Sequence, residues 1–398
     1  MRLFSEHCKW KKTLFRDFEM TNNQPAVETN FLSENDNGEL VSVVVPTFKE
    51  AENVPLIVRK IHKVLTESQI PHEIILVDDD SQDGSVEEVE KLQQGGFPAF
   101  MIVRKGSRDL SLAVIEGFNR AKGSVLVCMD ADLSHPADVI PELVSCIKQD
   151  EADFAIGSRY VEGASIEAGW SVFRHLNSKI SKSLALPFSN AKDPMSGFFA
   201  LKKETFLNSA YLNPVGYKIG LELIVKCGCK NIKEIPIFFS DRKYGSSKLS
   251  FQEQLKYIQH IKRLFDYKYG DLAKFFQFCI VGATGAVVDL SSYNIFMSFM
   301  PIEIARIIAI IIAMTWNFEM NRRFTFSYGK HRHWLKQYFG FVCCCSIGAV
   351  VNWSVSMSLS RNFEFWSEQL TLAAAAGILC GTVFNFLLNR FWVYKKKD

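Results

Sequence analysis

Residues 124–132 read Ser-Val-Leu-Val-Cys-Met-Asp-Ala-Asp, an apolar run that ends on the carboxylates Asp130 and Asp132. A short, continuous apolar run is typical of a strand buried on both faces, and α/β sheets bind ligands at the carboxyl ends of such strands. Two carboxylates would repel a diphosphate there unless a hard cation stood between them. The pattern therefore predicts a Mg²⁺ or Mn²⁺ site for a diphosphate.

The residues on either side repeat the same rhythm. Further strands are predicted at 41–45, 73–77 and 99–103, with helices at 50–65, 85–94 and 111–121 between them. Strands that alternate with helices predict a doubly wound, parallel α/β sheet. The strand at 73–77 runs into the acidic turn 78–84, so carboxylates follow a second strand as well. An isolated Asp-x-Asp is common in surface turns, but this second acidic turn favours a functional site.

Glycine-rich nucleotide-binding loops are missing from the sequence. A dinucleotide-binding protein has G-x-G-x-x-G after its first strand, but here that place reads Pro46-Thr47-Phe48-Lys49-Glu50. No G-x-x-x-x-G-K-[ST] occurs either. Both of those nucleotide-binding classes are excluded, and the carboxylates remain as the groups that carry chemistry.

The composition divides the chain into two unlike parts. Most charged residues of the 398 lie in 1–270, whereas 274–394 is dominated by Phe, Ile, Val, Ala and Cys. A net charge of +3 is too balanced for a dedicated nucleic-acid binder. The ten cysteines lack paired zinc-site spacing and are expected to be reduced, which suits a soluble part facing the cytoplasm.

Four apolar segments predict an integral membrane domain over 273–398. They lie near 275–299, 302–320, 338–360 and 369–392, each about long enough for a bilayer core of ~30 Å. Lys and Arg are concentrated between the second and third segments and at the C-terminus, so both termini and the α/β domain are expected in the cytoplasm.

Residues 251–272 alternate basic and aromatic residues and predict an amphipathic helix at the membrane surface, or else an ordinary packed helix. Residues 1–40 contain no apolar core of a secretory signal and are expected to be a disordered tail.

The membrane part contains an internal repeat. Residues 317–326 echo 385–394, and Gly-Ala-Val-Val-Asp at 285–289 echoes Gly-Ala-Val-Val-Asn at 348–352. Two related hairpins are therefore predicted. Asp289, inside a predicted span, is either a functional group or the partner of a polar neighbour such as Asn352.

Five ordered motifs over residues 41–265 carry a resemblance to a known family. They are V-V-P-T-F-K-E-A-E-N, V-D-D-D-S-Q-D-G, M-D-A-D-L-S-H-P, I-G-S-R-Y and D-P-M-S-G-F-F-A. Together they resemble the family 2 glycosyltransferases of GT-A fold, which is Rossmann-like, and more narrowly the dolichyl-phosphate mannose synthases and related polyprenyl-phosphate glycosyltransferases. The apolar part resembles a GtrA-like membrane domain. The resemblance implies a GT-A domain over 41–250, followed by interfacial helices and a four-helix transmembrane domain.

The resemblance also assigns roles to matching positions. It implies that Asp130, Asp132 and Arg159 are catalytic, and that Asp132 and Ser134 bind the metal. The acceptor phosphate would meet Arg174 and Ser178, although without the family an exposed helix face is the simpler interpretation of Arg174. The donor-binding positions that it implies are Pro46, Phe48, Glu50, Val77, Asp79, Asp130, Ala131, Asp132, Arg159, Arg242 and Lys248.

One position departs from the family pattern. Asp109 stands where family members usually have glycine, while Arg108 keeps the basic charge. Glu222, among apolar neighbours, is predicted to be a buried structural carboxylate, with a general base as the alternative.

The resemblance implies an inverting transferase that moves mannose from GDP-mannose to dolichyl (polyprenyl) phosphate with Mg²⁺ or Mn²⁺. A UDP-hexose transferase is the alternative within the enzyme class. A lipid-linked sugar flippase, or a membrane scaffold with an inactive transferase domain, is the alternative from another class. The lipid bilayer is the expected partner in each case, and no nucleic acid is expected.

Overall fold

The apolar runs of the first 240 residues form a seven-stranded sheet at the centre of an α/β unit. The computed structural model describes residues 39–166, 172–216, 218–240, 251–329 and 333–395. Residues 1–38 of the predicted tail lie outside the described ranges, and Leu40, at its end, is buried. The strands are β1 (Val41–Thr47), β2 (His72–Asp78), β3 (Ala99–Val103), β4 (Val125–Cys128), β5 (Phe154–Ser158), β6 (Ser165–Ile166), β7 (Phe199–Lys202), β8 (Ile232–Pro236) and β9 (Phe238–Phe239).

Helices cover the sheet and then make up the C-terminal part. They are α1 (Val54–Glu67), α2 (Ser85–Gln94), α3 (Leu110–Arg120), α4 (Ile140–Lys148), α5 (Val172–Ala185), α6 (Lys203–Leu207), α7 (Ile219–Lys226), α8 (Phe251–Phe296), α9 (Ile302–Met320), α10 (Trp334–Asn362), α11 (Glu364–Glu368) and α12 (Leu370–Leu388). The predicted α/β class is confirmed, and the first three helices and first four strands lie within a few residues of their predicted bounds.

The sheet is mixed rather than wholly parallel, which corrects the prediction. Its order is β3-β2-β1-β4-β7-β5-β8, and β7 runs antiparallel to both β4 and β5. Gly197 lies against the side chain of Asp130, just beyond the carboxyl end of β4. Because β7 starts from that end at Phe199, the chain returns along β4 in the opposite direction. Strands β1, β2 and β4 stay parallel, so their carboxyl ends meet at one edge.

Helix α3 lies unusually close to the sheet because it contains a glycine. A Cβ added to Gly117 would lie 2.4 Å from Cγ1 of Val44 on β1 and 3.1 Å from Cγ2 of Val77 on β2. Both valines are fully buried. The absence of a side chain at Gly117 therefore sets the distance between α3 and the strands β1 and β2. The carboxyl ends of β1, β2 and β4, with the carboxylates that follow them, form what we call the acidic edge.

The described chain separates into two compact units. One contains 1–169, 196–209 and 230–245, and the other contains 170–195, 210–229 and 246–398. In the second unit, Leu264 of α8 is fully buried and packs with Ala185, Phe188 and Leu221. Leu255 and Ile258 are 44% and 55% exposed. The apolar face predicted for 251–272 is thus divided between protein packing and an exposed strip.

Within the described ranges, three helices are long and apolar enough to cross a membrane: residues Glu253–Phe296 of α8, α10, and α12 with its extension to Val393. Helix α8 breaks at Gly270, whose φ of 53° and ψ of −119° are not helical. Helix α9 coincides with the predicted second span but carries Glu303, Arg306 and Glu319, and it is not among the three. The four-span arrangement therefore remains a prediction.

Both predicted hairpins are present, and each ends in the same wide helical turn, Asn321–Thr325 in one and Asn389–Val393 in the other. The Asn321 amide donates to the Asn317 carbonyl at 2.9 Å, and the Asn389 amide donates to the Asn385 carbonyl at 2.8 Å. The residues after the two turns, Phe326 and Tyr394, stack with ring centroids 4.8 Å apart.

We expect Gly117→Ala to destabilise the α/β unit although alanine is the better helix former. The gain in helix propensity is about 1 kcal/mol, whereas overpacking a tight core costs typically about 1–3 kcal/mol. Thermal unfolding of the full chain measures the effect, with the exposed Glu90→Ala on α2 as control. A midpoint at or above that of the wild type would contradict the tight approach of α3.

Candidate active site

The carboxyl ends of β1 and β2 are joined by one buried carboxylate, Asp78, which is 1% exposed. It accepts hydrogen bonds from the Thr47 hydroxyl at 3.1 Å, and from the Ser81 N–H and hydroxyl at 2.7 and 2.5 Å. The Ser81 hydroxyl in turn accepts from the Lys49 N–H at 2.8 Å. The sequence pattern predicts that Asp78, in the acidic turn 78–84, faces the ligand, but its burial and hydrogen bonds make it a structural residue.

The next residue, Asp79, is held in a different way. Its carboxylate pairs with the Arg104 guanidinium and accepts from the Asp109 N–H at 2.9 Å. Burial raises the pKa of Asp79, and the Asp109 N–H and Arg104 offset part of that rise. The Asp109 side chain also accepts from the Leu112 N–H at 3.1 Å and caps α3. The aspartate that replaces the family's glycine therefore starts a helix and supports Asp79.

Phe48 and Glu50 follow β1 beside this acidic turn. The Arg108 guanidinium lies over the Phe48 ring, 3.6 Å from its centroid, which is a close cation–π contact. Glu50 accepts from the Asn53 amide at 2.6 Å. Pro46 and Val77 are buried in the strands, where they lie opposite each other in the pairing of β1 with β2.

The loop after β4 holds the two aspartates in unlike surroundings. Asp132 is 7% exposed, and its Oδ1 accepts from the Ser134 N–H at 3.1 Å and hydroxyl at 2.5 Å. The side chain of Asp130 is 32% exposed. The fixed orientation of Asp132 thus comes from Ser134, the residue predicted as a metal ligand, while Ala131 between the aspartates is buried.

Backbone strain marks the same edge. Six described non-glycine residues have φ in the left-handed region that favours glycine. Gln69 and Asp150 lie elsewhere, after helices, and the other four are Lys49, Asp80, Gln82 and Leu133, with φ between 51° and 62°. All four lie in the loops that follow β1, β2 and β4. Strain of this kind persists only where neighbouring contacts hold it.

Gly197 and His135 lie directly beside Asp130. A Cβ on Gly197 would lie 3.2 and 3.3 Å from the two carboxylate oxygens of Asp130. The Asp130 N–H donates to Nδ1 of His135 at 3.2 Å, and the His135 ring stacks on Phe198 with centroids 5.2 Å apart. The Arg159 guanidinium lies 5.2 Å from the Phe239 ring centroid, and the same ring meets His135 edge-on. A hydrogen bond therefore joins the Asp130 main chain to His135, and the Phe239 ring lies between His135 and Arg159.

The residues fit a magnesium-type ion that is shared with a substrate phosphate. Mg²⁺ usually binds through one or two carboxylates plus phosphate oxygens and water rather than in an all-protein cage. Asp130 and Asp132 offer that number of hard oxygen ligands. No group of three or more His, Cys, Asp or Glu side chains placed to hold a metal occurs in the described part of the chain.

Other predicted residues are only partly accounted for. Arg242 and Lys248 lie outside the described residues, and the side chains of Arg174 and Ser178, on α5, are not described. Glu222 is 1% exposed, pairs with Lys226 at 2.6 Å and accepts from the Asn213 N–H at 2.9 Å. It is a buried structural carboxylate, as its apolar neighbours in the sequence predict.

The sequence reasoning missed Arg104 and the contact of Gly197 with Asp130. Arg104 follows β3 by one residue, so its place at the acidic edge could have been read from the strand order. The closeness of Gly197 to Asp130 has no local signal, because it depends on the antiparallel return of β7.

Comparison with known proteins identifies the family of the chain. Residues 42–207 match glycosyl transferase family 2, and residues 277–394 match the GtrA/DPMS transmembrane domain. A dolichol-phosphate mannosyltransferase of Pyrococcus furiosus is 37% identical over 88% of this chain and 98% of its own length. That of Saccharomyces cerevisiae is 42% identical over 58% of this chain and 88% of its own length. The chain therefore belongs to glycosyl transferase family 2, in the branch that contains the dolichol-phosphate mannosyltransferases.

Two solved structures of lower sequence identity match part of the chain. Mannosyl-3-phosphoglycerate synthase from Rubrobacter xylanophilus is 17% identical, with a TM-score of 0.43, over 56% of this chain and 73% of its own. Glucosyl-3-phosphoglycerate synthase from Mycobacterium tuberculosis is 17% identical, with a TM-score of 0.43, over 58% and 81%. The family match establishes the chain as a glycosyltransferase, and the transmembrane-domain match together with the three apolar helices establishes it as a membrane protein.

We expect Gly197→Ala to lower the rate of sugar transfer by about tenfold or more while the protein stays folded. The added methyl would press on the Asp130 carboxylate, and small displacements of catalytic groups carry large rate penalties. The turnover number and the thermal midpoint are measured on the same preparation. Full activity in the folded variant would show that Gly197 does not confine Asp130.

Proposed function

We propose that this glycosyltransferase moves a mannosyl unit from GDP-mannose to the phosphate of a dolichyl (polyprenyl) phosphate. The similarity to dolichol-phosphate mannosyltransferases over nearly the whole archaeal relative supports the acceptor and the sugar. The observation that carries the proposal is the pair Asp130 and Asp132 at the end of β4, where the carboxyl ends of three parallel strands meet. A diphosphate is the group that such a pair binds through a divalent cation.

Asp130 and Asp132 would hold the Mg²⁺ or Mn²⁺. The ion, when bound, supplies positive charge that stabilises the leaving diphosphate. Ser134 keeps the Asp132 carboxylate in one orientation, since its hydroxyl and N–H both donate to Oδ1. The predicted role of Ser134 as a direct ligand stays a prediction.

The donor nucleotide would lie along the edge formed by Phe48, Glu50 and Asp79. Arg104 and the Asp109 N–H fix the Asp79 carboxylate, which leaves it oriented for a hydroxyl donor such as a ribose. Arg159, with Arg242 and Lys248, supplies positive charge for the donor phosphates. Arginine suits that task because its planar fork matches phosphate oxygens.

The reaction needs no general base on the protein. An acceptor phosphate is already anionic near neutral pH, so its oxygen attacks the anomeric carbon directly while the bond from that carbon to the GDP oxygen breaks. A single in-line displacement inverts the anomeric carbon. Glu222 does not serve as the base in this scheme, because it is buried and paired with Lys226. The work of the protein is positioning and electrostatic stabilisation.

The membrane part would keep the enzyme at the bilayer that contains its lipid acceptor. The excess of Lys and Arg between the second and third predicted spans and at the C-terminus supports a cytoplasmic location for the α/β domain and both termini. GDP-mannose would then be taken from the aqueous side and the polyprenyl phosphate from the lipid.

We expect Asp132→Asn to reduce transfer at least about 100-fold, the scale of losing one preorganised electrostatic contact. The assay follows radiolabelled sugar into polyprenyl phosphate with GDP-mannose, UDP-glucose or UDP-GlcNAc. The matched control is Asp138→Asn, an exposed aspartate six residues further along the same segment. Chelation with EDTA should abolish transfer, and Mg²⁺ or Mn²⁺ should restore it.

The outcomes separate the alternatives. Transfer from GDP-mannose alone, lost in Asp132→Asn and kept in Asp138→Asn, is the expected result. Transfer from a UDP-sugar would keep the site and replace the donor. No transfer from any donor by folded, metal-supplied protein would contradict the proposal and favour a flippase or scaffold.

A further inference from the structure

His135 is a buried polar residue of the acidic edge that takes no part in the transfer scheme. It lies in the loop after β4, five residues beyond Asp130, and its side chain is 3% exposed. Burying a polar ring is costly unless its nitrogens are hydrogen-bonded. The Asp130 N–H donates to Nδ1 at 3.2 Å, so the side chain closes the loop 130–135 on itself. This bond places the proton of the neutral ring on Nε2.

The His135 ring is held in place by two phenylalanines. It stacks on Phe198 with centroids 5.2 Å apart and meets Phe239 edge-on at 5.6 Å. Phe198 is fully buried, and a Cβ on Gly157 of β5 would lie 2.5 Å from its Cδ1. The Phe198 ring therefore lies directly on the main chain of β5 and supports His135 from the sheet.

The loop that His135 closes contains a strained residue. Leu133 has a φ of 62°, and such a conformation persists in a non-glycine residue only where neighbouring contacts hold it. The bond between Asp130 and His135 holds the start of the loop. The Ser240 N–H, which donates to the Ser134 carbonyl at 3.2 Å, holds its end. Loss of the first bond would let the start of the loop relax.

The two aspartates of this loop are held at different atoms. Asp132 is oriented through its own carboxylate, which accepts two hydrogen bonds from Ser134. Asp130 is held at its main chain by His135, and its carboxylate lies against Gly197, where a Cβ would be 3.2 and 3.3 Å from the two oxygens. A shift of the Asp130 main chain would therefore change the spacing of the two carboxylates.

We propose that His135 is a positioning residue for the metal site, because it fixes the Asp130 main chain and thereby the carboxylate that binds the cation. The inference rests on the proposed role of Asp130 and Asp132 in holding Mg²⁺ or Mn²⁺. Histidine suits the position because it combines a flat ring for Phe198 with an acceptor at Nδ1. Phenylalanine would supply the ring without the acceptor, and asparagine would supply the acceptor without the ring.

The test measures equilibrium binding of Mn²⁺ to the full chain in neutral detergent with GDP present. The electron paramagnetic resonance signal of the free ion gives the affinity, with a protein-free GDP sample as blank. His135→Phe keeps the stacking and should weaken Mn²⁺ binding about tenfold or more, the scale of losing a partner that orients a metal ligand.

Two further substitutions separate the ring nitrogens. His135→Asn places an oxygen near the position of Nδ1 and should recover most of the Mn²⁺ affinity. His135→Gln places its amide near the position of Nε2 and should not. The matched control is His62→Phe on α1, whose ring contacts His72 at the amino end of β2, and it should leave the affinity unchanged.

The outcomes are distinct. Wild-type affinity in folded His135→Phe, or recovery by Gln rather than Asn, would overturn this inference alone. A wild type that binds no Mn²⁺ with GDP would overturn the metal-assisted proposed function together with it. Thermal midpoints show which variants fold; if His135→Phe does not, equal affinities of the Asn and Gln variants would overturn the inference. In transfer assays the Mn²⁺ concentration for half-maximal rate should rise in His135→Phe, while KM for polyprenyl phosphate stays the same.

Discussion

The acidic edge of the α/β unit depends on the buried carboxylate of Asp78. It accepts three hydrogen bonds, from Thr47 on β1 and from Ser81 in the turn after β2. Breaking such a group's bonds inside a protein is expensive, because an unsatisfied buried acceptor keeps its full desolvation penalty. The loops after β1 and β2 are therefore fixed to each other before any ligand arrives. Phe48, Glu50 and Asp79 inherit their positions from that connection.

The second constraint on the site is close packing at two glycines. Gly117 lets α3 approach β1 and β2, and Gly197 lies directly against Asp130. Neither glycine has a reactive side chain, yet both constrain where the carboxylates lie. The precision of the site thus comes as much from missing side chains as from charged ones, and rigid strands hold its reactive groups.

Local pattern was enough to predict the strands, the helices and the position of Asp130 and Asp132. Apolar runs and helical spacing are local properties, so the bounds of β1 to β4 follow from them. The three adjacent aspartates at 78–80 could not be separated in this way. Asp78 is buried, Asp79 is clamped by Arg104, and Asp80 is exposed, because their environments come from other strands. The antiparallel course of β7 was missed for the same reason, and with it the role of Gly197. In the membrane part the repeat predicted two hairpins, but only packing revealed that Asp289 pairs with Arg306.

The left-handed residues of the site loops have a consequence for how this protein can evolve or be engineered. Lys49, Asp80, Gln82 and Leu133 hold a conformation that costs a non-glycine residue about 1 kcal/mol or more. Glycine at any of them would relieve local strain, and a screen for heat resistance would tend to select it. The same change would enlarge the range of loop shapes in the unliganded enzyme and weaken its readiness for substrate. An increase in thermal tolerance is therefore expected to lower turnover at these four loop positions more than in the strands of the sheet.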